Sequence, residues 1–154
     1  MRSFAVPYLS LALFALPVLS TKYHVCSSIA LPSNCIVSTG NEAPGSAVTT
    51  AYVNHGYPPN MVVDVHASIT PKTDTYGPVS GKSGLYVGIS ENGKYLVWVK
   101  KPYQWEFSHG SAPQSHVVHI PKRAEFWVDA ADNSKPVELV GPGFGDALNW
   151  YFHQ

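Results

Sequence analysis

Residues 84 to 101, GLYVGISENGKYLVWVKK, decide how this chain is read. Two runs of alternating apolar residues meet at Asn92-Gly93, the dipeptide that best tolerates the two positive φ angles of a type I′ hairpin turn. A two-residue turn sets the register: Ile89 faces Leu96, Val87 faces Trp98, Leu85 faces Lys100, and Glu91 meets Lys94 at the tip. The opposite face pairs Ser90 with Tyr95, Gly88 with Val97 and Tyr86 with Val99. Both faces are largely apolar, so the hairpin is expected in the middle of a sheet covered on both sides, with the other strands assembling on it.

Working outward, short runs of strand-forming residues alternate with glycine, proline and asparagine breaks. Residues 21–29 read as a first strand, 31–45 as a loop, 46–54 as a strand rich in β-branched residues, and 61–69 as a strand with clean alternation. Residues 70–82 form a long connection. Pro102 stops the hairpin, 103–107 form an edge strand, and 116–120 with 124–130 form a second hairpin around Pro121-Lys122-Arg123. Residues 137–140 are a strand, 141–145 a glycine-proline loop, and 148–152 a closing strand or short helix. The expected fold is all-β: a single-domain sandwich or barrel of about eight to ten short, mostly antiparallel strands with at most one short helix. No internal repeat, low-complexity tract or linker is visible.

Residues 1–20, MRSFAVPYLSLALFALPVLS, carry an early Arg2, an apolar run and small residues near its end, the pattern of a secretory signal peptide. The run is too short and too interrupted by proline for a membrane span. Cleavage near Ser20 leaves residues 21–154 as one β-rich secreted domain, large enough to bury a core without a dense disulfide framework. Cys26 and Cys35 then form one short-loop disulfide, stabilising by about 2–3 kcal/mol. Lys+Arg and Asp+Glu both number 10. The chain therefore has no basic field to collect nucleic acid.

Several residues are candidates for chemistry. Asp64 and His66 share one strand face, half of a general-base arrangement. His116 and His119, three apart on a strand, point to opposite faces and cannot share a metal; no metal site and no cofactor are expected. A metal-independent ribonuclease would need a base, an acid and a cation: Glu106 as base, His66 or His119 as acid, and Arg123 on the phosphate. Tyr103, Trp105 and Phe107 alternate beside Lys100 and Lys101, an aromatic strip next to two cations that would stack on sugar rings or anchor a protein partner.

This layout resembles the small secreted effector proteins of plant-pathogenic fungi: a leader, a mature chain of about 134 residues, few cysteines, aromatic-rich strands and no enzyme signature. It is similar, more narrowly, to the ribonuclease-like effectors of powdery mildews, whose early aromatic-x-Cys triplet is one residue longer here, Tyr23-His24-Val25-Cys26. The resemblance implies secretion and binding to host proteins. The expected function is thus a non-enzymatic secreted protein that binds a host or extracellular macromolecule, most simply a protein. The alternatives are a ribonuclease-like fold and a carbohydrate-binding module using Tyr103 and Trp105.

Overall fold

The computed structural model describes residues 19–28, 31–133 and 135–154. Residues 1–18 of the expected leader lie outside that set. Among the described residues there are thirteen short strands, no α-helix, and two single 3₁₀ turns at Pro59–Met61 and Gly145–Leu148. The all-β expectation holds, with more and shorter strands than the sequence suggested. One reason is Pro78, which has no N–H to give and splits the stretch between β5 (Thr75–Gly77) and β6 (Val79–Ser80).

Six segments close into a barrel. Strand β1 (Thr21–Cys26) pairs with β4 (Val63–Val65), β4 with β6, and β5 with β9 (Trp105–His109). In turn β9 pairs with β10 (His116–His119), His116 bridges Trp150, and β13 (Tyr151–His153) returns to β1. Three hairpins project from one end: β2 (Ser33–Ile36) with β3 (Thr50–Val53), β7 (Tyr86–Ile89) with β8 (Leu96–Val99), and β11 (Phe126–Val128) with β12 (Glu138–Val140).

These pairings define a threefold repeat. The registers equate Val25, Val79 and Val118; Ile36, Val87 and Trp127; and Val63, Trp105 and Trp150. Where the hairpins meet, three backbone hydrogen bonds run in a ring. Val48 N–H donates to Leu96 O (3.0 Å), Leu96 N–H to Val137 O (2.9 Å), and Val137 N–H to Val48 O (2.8 Å). All three side chains are buried. The repeat is invisible in the sequence because equivalent positions need only be apolar, and because the loops between them differ in length.

The register expected for residues 84–101 is the one observed: Ile89 with Leu96, Val87 with Trp98, Gly88 with Val97 and Tyr86 with Val99. Two details differ. Among the non-glycine residues with positive φ, Asn92 is absent; Gly93 alone turns left-handed (φ 73°). Ser90 N–H donates to Tyr95 O, so the loop holds four residues, pinned by Asn92 Oδ1, which accepts from Ser90 Oγ–H and Lys94 N–H. Moreover, the hairpin is not the centre of a sheet. It is one of three that cap the barrel, bridged to the other two at Ala47–Val97 and Tyr95–Glu138, while Ile89, Val97 and Val99 line an open groove.

All four tryptophans fill the core, each at most 1% exposed. Trp105 and Trp150 occupy equivalent sites and act alike. Their indole N–H groups donate to Val87 O (2.9 Å) and Trp127 O (3.1 Å), tying the barrel to the hairpins. The disulfide Cys26–Cys35 is formed, joining residues that are direct cross-strand partners of β1 and β2.

Replacing Leu96 by alanine opens a cavity beside the hydrogen-bonded ring. The expected cost is about 2–5 kcal/mol in denaturant unfolding; a loss below about 1 kcal/mol would show that the hairpins are not held together there.

Candidate functional site

The first hairpin carries a feature that its two counterparts lack. Asn34 and Tyr52 are cross-strand partners at its outer end. Continuing the other registers by one position puts Leu85 opposite Lys100 and Glu125 opposite Gly141. Tyr52 is 57% exposed, and its ring has no aromatic partner among the described residues. It stands over an open groove of about 810 Å³, shared with Ser33, Asn34 and the 131–133 turn of the third repeat.

The groove is held rigidly. Asp129 reaches across from the third repeat: its Oδ2 accepts from the Asn34 amide (2.9 Å), and its Oδ1 accepts from Thr50 Oγ1–H (2.9 Å) and Ala131 N–H (3.3 Å). From the other side, Ser27 N–H donates to Asn34 O (2.9 Å), and the adjacent disulfide fixes the strand that bears Asn34. One N–H of the Asn34 amide is thereby used, and its oxygen and second N–H are left for a ligand. A sugar presents an apolar C–H face and a rim of hydroxyls. An exposed tyrosine ring beside a fixed planar amide can meet both.

The aromatic strip expected from the sequence points the other way. Tyr103, Trp105 and Phe107 do share one face, but it is the inner face of β9. Trp105 and Phe107 are 0% exposed core residues, and half-buried Tyr103 lies on Trp105 with ring centres 4.7 Å apart. Lys100 and Lys101 are exposed at the exit of β8, beside no aromatic surface made by these two rings. Alternation showed that the three rings were together; only closure of the barrel shows which side is inside.

The candidate nuclease residues divide between two neighbouring seams of the barrel. On one, His66 Nε2 lies 2.9 Å from Ser80 Oγ, with Asp64 paired to Lys22 at 3.1 Å and Tyr86 nearby. On the next, His119 Nε2 lies 3.0 Å from Ser108 Oγ and 3.8 Å from Glu106, with Phe126 beside it. The threefold repeat equates His66 with Ser108, Ser80 with His119, and Asp64 with Glu106, so the two seams carry one cluster with serine and histidine exchanged. Glu106 and His119 therefore come together, and His66 stays with its own seam. Arg123 turns its guanidinium to Glu125 (3.6 Å), and the Glu106 carboxylate accepts from Lys122 N–H (3.2 Å). The Tyr76 hydroxyl, hydrogen-bonded to Glu106, is pushed above its ordinary pKa. Among the described residues no three metal-ligating side chains gather.

Sequence reasoning missed Asn34, Tyr52 and Asp129, which lie in three separate segments. The one local signal was that Asn34 adjoins Cys35, so a disulfide at that point also fixes its neighbour.

No family model matches the sequence, and no curated protein does. Solved structures share the architecture. The agglutinin of Rhizoctonia solani superposes with a TM-score of 0.66 at 16% identity, covering 90% of this chain and 98% of that one. The ricin B-like lectin of Macrolepiota procera, in complex with lactose, gives 0.62 at 16%, covering 87% and 95%. A designed 3-fold symmetric protein, ThreeFoil, gives 0.57 at 10%, covering 86% and 98%. The fold is β-trefoil-like, and at these identities the likeness is one of fold.

Two histidines tie stability to pH. Burial pushes His24 below the ordinary histidine value, outweighing its hydrogen bond to Met61 O, and neighbouring His153 adds to the fall. Burial lowers His116 as well, against a hydrogen bond to Thr70 O and with His109 adding. The unfolded chain takes up these protons first. Stability is therefore full above about pH 6.5 and declines as pH falls through the lowered folded values. Melting temperature measured from pH 7.5 to 5 should drop, and the double variant His24→Gln, His116→Gln should flatten that drop; an unchanged slope would contradict it.

Proposed function

We propose that this protein is a non-enzymatic carbohydrate-binding protein whose glycan contacts centre on Tyr52 and Asn34. The observation that carries the reading is the groove: an exposed tyrosine paired across the strand with an amide that Asp129 locks in place. Two of the structures with this fold are an agglutinin and a lectin holding lactose, which supports the same reading. The polar lining suits a ligand rich in hydroxyls, whose hydrogen bonds to water are replaced one for one. The leader-like N-terminus and the disulfide support action outside the cell, on glycans of a host or of another extracellular surface. A protein partner then enters as a glycoprotein, recognised through its sugar.

The test is a glycan array on the mature chain, followed by calorimetry on the best ligand. Tyr52→Ala and Asn34→Ala should each weaken binding about tenfold or more, or about 1.4 kcal/mol. Lys101→Ala should leave it unchanged. Failure to retain any glycan, or affinity in both groove variants equal to that of the unmodified protein, would overturn the proposal.

A further inference from the structure

The barrel is capped by hairpins at one end only. At the other end, where β1 begins and β13 finishes, lies a second cavity of about 600 Å³, a size that suits a small molecule. We propose that it is a binding site for a small neutral ring compound bearing one N–H or O–H donor, a phenol or an indole in chemical class. This inference is independent of the sugar groove.

The walls are rings already fixed by one another. Phe152 meets Tyr23 edge-on at 5.6 Å and His116 edge-on at 5.5 Å. Tyr57 is stacked between His24 (4.8 Å) and His153 (4.9 Å), so the loop carrying it is held to the first and last strands. Ile69 and Pro71 complete the apolar side. A flat apolar ligand would meet preformed ring edges and faces, the arrangement aromatic groups prefer.

Two ring nitrogens without a partner belong to histidines of the same wall. His116 is 5% exposed, and its Nε2 lies 3.2 Å from Thr70 O. A neutral imidazole that donates there carries its lone pair on Nδ1, which is buried without a partner. His153 Nε2 is also buried without a partner. Only four such side-chain atoms occur among the described residues, and two of them belong to histidines lining this cavity. Both nitrogens are closed to solvent, so a ligand's donor reaches one only when its ring swings toward the cavity; the bond formed there removes the cost of a buried polar atom left unpaired.

The charge pattern selects further. No Asp, Glu, Lys or Arg lines the cavity, so an ion entering it would lose water without gaining a counter-charge. A sugar would meet the Gln114 and Gln154 amides at the rim but leave its remaining hydroxyls unpaired against Ile69, Pro71 and Phe152. A neutral ring with a single donor fits both limits.

The experiment is an NMR titration of the mature chain with indole, 4-methylphenol and toluene. The expected result is saturable shifts for indole and 4-methylphenol confined to Tyr23, Tyr57, Phe152, His116 and His153, with toluene at least tenfold weaker. Ile69→Trp, which fills the mouth, should weaken indole at least tenfold. If that variant fails to fold, Pro71→Trp at the exposed rim takes its place. Lactose should not displace indole. Absence of saturable shifts, equal binding of toluene, equal binding by the filled variant, or displacement by lactose would each overturn the proposal.

Discussion

Three backbone hydrogen bonds, from Val48 to Leu96, from Leu96 to Val137 and from Val137 back to Val48, hold the molecule's three hairpins in one ring. Each donor and acceptor lies among buried side chains, where an unpaired backbone group is expensive, so the ring closes fully or not at all. Its geometry fixes the hairpins relative to one another. The indole bonds of Trp105 and Trp150 then pass that placement to the barrel below. The six barrel segments in turn close without a free edge, since the first strand pairs with the last.

A core that asks only for apolar residues leaves the rims free to differ. The first hairpin uses that freedom at Asn34 and Tyr52, where its equivalents carry Leu85 with Lys100 and Glu125 with Gly141. Asp129 couples this rim to the third repeat, so the groove exists only because two repeats meet there. The barrel end differs in the same way: the position held by Tyr23 and His116 in two repeats is Gly77 in the other, where a side chain would strike His66 O. Both proposed binding surfaces thus fall on the departures from symmetry, and the symmetric parts carry stability.

What the sequence revealed and what it hid have one cause. The register of β7 with β8 depends on residues a few positions apart, and so does the pairing of Cys26 with Cys35; both were legible. The ring through Val48, Leu96 and Val137 is made by backbone groups and leaves no mark beyond apolar character, so the threefold repeat was not. Alternation grouped Tyr103, Trp105 and Phe107 correctly, but the side they face is set by a barrel whose closing partners lie far along the chain. For the same reason Glu106 and His119 could be named together, being direct partners of β9 and β10, while His66 belonged to the neighbouring seam. Asn34, Tyr52 and Asp129 met only through folding.

A glycan is proposed to sit in the asymmetric groove of the first repeat. Mapping the NMR shifts that a bound glycan causes, residue by residue, on residues 21–154 decides this. The prediction is that shifts concentrate at Asn34, Tyr52 and the 131–133 turn, with the Asp129 contacts retained. Shifts centred on the second or third hairpin, or on the outer barrel face at Tyr76 and His119, would contradict it.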